Sequence, residues 1–249
     1  MVVVSLVYIV LGSLVIIVAR WYSFRSARTE ALAIVRIASF VANGSGDITE
    51  LGRGIARINF VQSLVYVADR VDINSREPLR VIVRYYNIED FLVNRAARSR
   101  SDSQRAYYLA LLSRLPLSCG VLSEVERFLA DAFERVRFYA LMALFSCSPY
   151  RAIAVLEQSD WRLSRRDVAE LLTLISRGCC PLPYMPLLLS ENYNLQLLGI
   201  HLVRRFAITE GRAQIVAIVR CGNSELRDDA LETLVSLGEQ ERGYNYVLI

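Results

Sequence analysis

The sequence predicts an all-α chain, an N-terminal transmembrane helix followed by an α/α superhelix of stacked helix pairs. Three observations predict it. An apolar run opens the chain, helical apolar spacing recurs about every thirty residues, and glycine or proline breaks separate the copies. The chain has 249 residues, 54% of them hydrophobic, with a positive mean hydropathy of +0.32. That hydrophobic share exceeds the roughly 45–50% usual for soluble domains, so part of the apolar surface is expected to face lipid or a large core.

The anchor is assigned to residues 1–20. From Val2 to Ala19 the run is broken only by Ser5, Tyr8, Gly12 and Ser13, about the shortest length that crosses a bilayer. Arg20, Trp21, Tyr22, Arg25 and Arg28 follow, the aromatic and cationic belt expected at a membrane interface. No charged residue precedes the run, as a secretory signal would require. The positive-inside rule therefore predicts a single-pass protein with its N-terminus outside and the following domain cytoplasmic. Residues 21–46 are read as a juxtamembrane helix over Thr29–Ala42 and a hinge at Asn43–Asp47, rich in helix breakers.

Residues 47–249 form the repeat domain. A polar anchor followed by small or apolar residues three, four and seven places on lines one helix face. That frame starts at Arg105, Arg137, Asp167, Gln196 and Arg227, at intervals of 32, 30, 29 and 31. An earlier apolar helix ends eight residues before three of these anchors, at Leu129, Leu188 and Val219, and the copy at Asp167 has a longer link over Gln158–Ser164. Pro116, Pro149, Gly178 and Gly238 follow second helices. A helix pair of this size cannot bury both its apolar faces alone, so neighbours are expected to stack around one continuous core.

Val136-Arg137 and Leu226-Arg227-Asp228-Asp229-Ala230-Leu231 resemble the start of the second helix in the HEAT-repeat family. The resemblance covers about Asn87 to Leu237 and implies a HEAT-like α-solenoid. Gln196 and Asp167 stand where that family has arginine, so the resemblance implies that those copies lack its intramolecular arginine contact. The order of anchor, Leu51–Val71, Glu77–Asn87 and repeats is similar to bacterial membrane-anchored HEAT proteins. This implies an accessory role beside a membrane enzyme such as a glycosyltransferase.

Chemistry-bearing patterns are sparse. The single histidine, His201, lies between Leu198 and Leu202 and reads as a packing or hydrogen-bonded residue, since a base needs positioned partners. Asp228 with Asp229 and Asp69 with Asp72 read as acids at helix ends or exposed faces. Gly52-Arg53-Gly54 and Gly44-Ser45-Gly46 lack the strand and lysine of a phosphate loop. The five cysteines, Cys119, Cys147, Cys179, Cys180 and Cys221, have no ligand spacing and read as reduced, buried thiols. All 29 basic residues are arginine. Arg95, Arg98, Arg100 and Arg105 cluster, but Glu89, Asp90 and Asp102 offset them, and a net charge of +4 is small for nucleic-acid binding.

The expectation is thus a membrane-tethered adaptor with no catalytic residue, cofactor or metal. It would dock a protein partner on the surface formed by the second helices, with Arg135, Tyr139, Arg204 and Arg227 as contacts and the bilayer as its other partner. The alternatives are a HEAT-type lyase-like enzyme acting on a bound cofactor, or an arginine-mediated phosphate or nucleic-acid binder. The apolar C-terminal Tyr244–Ile249 is expected to fold back as a seal, because exposed apolar patches are rare.

Overall fold

The structure, a computed structural model, describes residues 27–44, 46–70, 76–177 and 182–247, with side chains up to residue 238 except that of Cys221. Among the described residues it is all-helical, with α-helices joined by short 3₁₀ turns and no strand. The transmembrane segment expected at 1–20 lies outside the described residues, as do Arg20, Trp21, Tyr22 and Arg25. Arg28 is described and exposed. No described helix is long and apolar enough to cross a membrane.

The chain divides into two compact units, Met1–Phe91 and Leu92–Ile249. In the first, α1 spans residues 27–43 and buries Ala33, Ile37 and Val41, a four-residue spacing that forms one helix face. Gly44 and Gly46 take positive φ angles of 62° and 143° and end that helix. Asp47 then caps the 3₁₀ turn Ile48–Glu50 by accepting from the Thr49 amide at 2.8 Å. Arg36 spans this bend, donating to the carbonyls of Glu50 (3.2 Å) and Arg53 (3.3 Å), and so ties α1 to the turns that follow it. Helices α2 (Arg57–Ala68) and α3 (Arg76–Tyr85) complete the layer, with Phe60, Leu64, Leu79 and Ile82 in the core. Tyr86 pins the turn by donating to the Ile48 carbonyl (2.6 Å) and accepting from the Gly52 amide (2.9 Å). Helix α4 (Ile88–Arg98) carries the chain across the boundary.

The second unit contains α5 (Asp102–Ser113), α6 (Leu122–Glu126), α7 (Glu134–Cys147), α8 (Pro149–Gln158) and α9 (Arg165–Ser176). It continues with α10 (Tyr184–Leu189), α11 (Tyr193–Phe206), α12 (Arg212–Cys221) and α13 (Arg227–Val247). Each anchor of the sequence period falls in the first turn of one of the alternate helices α5, α7, α9, α11 and α13. These five pack in succession, α5 on α7, α7 on α9, α9 on α11 and α11 on α13. One apolar cluster runs from Phe138 to Leu237 through Leu144, Leu171, Leu198 and Ile200, which are fully buried. Burial of each such side chain contributes about 1.5–3 kcal/mol.

The anchor side chains fasten their own helices to the preceding segment. Arg105 donates to the Ser99 carbonyl (3.4 Å), Arg137 to that of Asp131 (2.8 Å) and Arg227 to that of Val219 (3.0 Å). Gln196 does the same through its amide, reaching the Leu188 carbonyl at 3.2 Å. The Gln196 amide nitrogen is also a donor, so this copy makes a side-chain-to-carbonyl contact like those of Arg137 and Arg227. Only Asp167, an acceptor, departs. It forms a capping box with Ser164 and closes the N-terminus of α9.

The long link after α8 is held by the next copy, as Asn194 accepts from the Leu163 amide (2.8 Å) and donates to the Trp161 carbonyl (2.8 Å). Three sequence readings change. Leu231, placed on the buried face by the period, is 43% exposed, because α13 packs on α11 and α12 from one side. The backbone of residues 244–247 continues α13 as helix rather than turning back. Cys119 is exposed and Cys147 half-buried, since one lies in a surface 3₁₀ turn and the other ends α7.

Candidate functional site

Charged side chains tie several of the alternate helices together. Arg105 on α5 pairs with Asp131, just before α7, at 3.0 Å, and Arg135 on α7 pairs with Asp167 on α9 at 2.9 Å. Arg165 on α9 reaches Asp229 on α13 at 3.0 Å, and Arg204 on α11 reaches Glu232 on α13 at 2.7 Å. Asp167 and Asp229 are nearly inaccessible, at 4% and 2% exposure, so burial is offset there by directed charge pairs and hydrogen bonds.

Asp229 does lie at a helix end, as its sequence position suggests, but it is buried rather than exposed. It sits in the first turn of α13, where the helix dipole favours an anion, but faces inward beneath α11. His201, buried on α11, places Nε2 3.1 Å from Asp229 Oδ1 and Nδ1 3.0 Å from an Arg204 guanidinium nitrogen. Arginine can only donate, so Nδ1 accepts and the ring proton sits on Nε2, donating to the carboxylate. Burial and the Arg204 charge lower the His201 pKa below its ordinary 6.5, outweighing the opposite pull of Asp229. The imidazole is thus a neutral bridge within the series Arg165, Asp229, His201, Arg204 and Glu232, drawn from three helices.

This network borders a groove of about 460 Å³ between α9 and α11, lined by Ala169, Leu172, Thr173, His201, Arg204 and Arg205. Arg205 is exposed and, among the described residues, makes no hydrogen bond or ion pair.

The four expected contacts have different environments. Arg135 is half-buried, held by Asp167 and stacked 5.6 Å from the Phe138 ring. Tyr139 is half-buried against the core, and burial, then the Glu170 charge, raises its hydroxyl pKa. Arg204 is half-buried in the network above, and Arg227 is exposed with Nε committed to Val219. Only Arg204 lines the groove. Sequence reasoning missed Thr173, Arg205, Arg165 and Asp229. For Arg165 and Asp229 the available signal was charge of opposite sign two periods apart, a separation of 64 residues; nothing in the sequence singled out Thr173 or Arg205.

In the basic cluster, Arg95, Arg98 and Arg100 are exposed, whereas Arg105 is tied to Asp102 and Asp131. No three histidine, cysteine or acidic residues converge as a ligand set among the described residues. No protein-family model matches the sequence, and no curated protein matches it.

Proposed function

We propose that the chain is a membrane-tethered, cytoplasm-facing adaptor whose HEAT-like α-solenoid binds a protein partner. The observation that carries this reading is the row of alternate helices α5, α7, α9, α11 and α13, packed in succession and bridged by charge pairs. Helices cross-linked in this way present polar and apolar side chains at fixed spacings over several turns, as recognition of an extended partner requires. The anchor read at residues 1–20 would raise the partner's effective concentration at the bilayer, in keeping with an accessory role beside a membrane enzyme.

The buried His201–Asp229 pair is the observation that favours an enzyme. Its geometry weighs against that use, because both ring nitrogens are engaged, one by Asp229 and the other by Arg204. A general base must direct one nitrogen at the proton it removes.

Crosslinking in the native membrane followed by mass spectrometry tests the adaptor reading. A reproducible protein neighbour attached near α7, α9 or α11 is the expected result, and failure to recover any stable neighbour would reject it.

A further inference from the structure

The groove between α9 and α11 combines features that select a ligand class. Its walls carry two guanidinium groups, Arg204 and Arg205, and the Thr173 hydroxyl, with no carboxylate among the lining residues. Ala169 and Leu172 are the apolar residues of the lining, and His201, held neutral, adds no charge of its own. A volume of about 460 Å³ holds a few side chains and far exceeds one small ion.

Arg204 is already engaged by the Glu232 carboxylate at 2.7 Å, an ion pair whose acid is 58% exposed. Such a pair contributes little in water and exchanges readily. Glu232, on α13 and outside the groove lining, therefore competes with an incoming carboxylate for the Arg204 charge, while Arg205 is uncommitted. Planar guanidinium groups bind carboxylates through paired, charge-assisted hydrogen bonds.

We propose that this groove receives an acidic segment of the protein partner, one carboxylate side chain engaging Arg204 and Arg205 and a neighbouring aliphatic side chain resting on Ala169 and Leu172. The assignment rests on the adaptor reading above and specifies the chemistry of its partner. Displacement of Glu232 is part of the binding event, so that acid acts as an internal competitor.

The test uses the full-length chain in detergent micelles and a fluorescein-labelled Glu-Leu-Glu-Leu-Glu-Leu peptide, followed by anisotropy. A Gln-Leu-Gln-Leu-Gln-Leu peptide is the uncharged control. The acidic peptide is expected to bind and the control to bind at least tenfold more weakly, the usual effect of removing charged hydrogen bonds. Arg205→Gln should weaken acidic-peptide binding about tenfold with an unchanged melting curve, because this side chain bonds to nothing within the described fold. Glu232→Gln should strengthen binding about threefold, an outcome general destabilisation would not give.

Equal binding of the two peptides, full affinity in Arg205→Gln, or weakening by Glu232→Gln overturns the assignment. So does displacement of the peptide by glutarate or inorganic phosphate at equal potency, which would make the groove a small-anion site. A crosslinked protein neighbour recovered equally by wild type and Arg205→Gln would reject the groove while leaving the adaptor reading intact. Loss of every neighbour would reject the adaptor itself.

Discussion

Asp229 Oδ1 lies 3.1 Å from His201 Nε2, joining the first turn of α13 to the middle of α11 inside the second unit. Arg165 approaches the same carboxylate from α9 at 3.0 Å. One buried acid thus organises three helices, and the chain's single histidine is its neutral partner.

This arrangement predicts a pH dependence of stability. The folded-state pKa of His201 is below its ordinary 6.5, so the unfolded chain binds more protons as pH falls through that value. The neutral ring's contribution is fully present above about pH 6.5 and is lost as pH drops from there toward the lowered folded value. The melting temperature should therefore fall between pH 7.5 and 5.5, and His201→Gln should flatten that slope, since no other side chain ordinarily titrates there. Parallel slopes in the two proteins would contradict this account.

Asp167 both caps α9 and receives Arg135, and its carboxylate is 4% exposed. Asp167→Ala removes the capping acceptor and strands a half-buried guanidinium. The expected loss is about 2–3 kcal/mol in urea unfolding, combining a cap of about 1 kcal/mol with a charged hydrogen bond. A loss under about 0.5 kcal/mol would mean the cap and pair are solvated.

Gly199 sits where α11 meets α10, and a methyl group there would lie 3.0 Å from Leu187 Cβ and 3.0 Å from the Leu188 backbone nitrogen. Backbone cannot swing aside, so Gly199→Ala should destabilise by about 1–3 kcal/mol despite alanine's better helix propensity. Gly238→Ala on α13, where a methyl group meets nothing within 4 Å among the described residues, should stabilise by about 0.5–1 kcal/mol. Equal effects of the two substitutions in thermal melts would refute this contrast.

The Gln196 amide replaces an arginine in fastening α11 to the Leu188 carbonyl. Gln196→Leu should cost about 1 kcal/mol, the net value of a neutral hydrogen bond, whereas Gln196→Arg should keep most of it, as Arg227 does at Val219. Chemical denaturation of the pair of variants decides this, and equal losses would show that the hydrogen bond is immaterial.

The helical class and the register of α5, α7, α9, α11 and α13 are legible in the order of residues alone. Apolar spacing of three, four and seven residues is dictated by the helix turn and needs no tertiary information. It also located the anchor residues and the long link after α8. Which polar residues are buried, and what they hold, depends instead on how the helices pack against one another. Asp229 and Asp228 are adjacent acids with the same local signals, yet one is buried beneath His201 and Arg165 and the other is exposed. Leu231 fits the buried pattern and faces outward for the same reason. Periodicity fixes the angle of a side chain around its own helix, while its partners depend on which neighbouring helix lies at that angle, and that is set by packing across about thirty residues of chain.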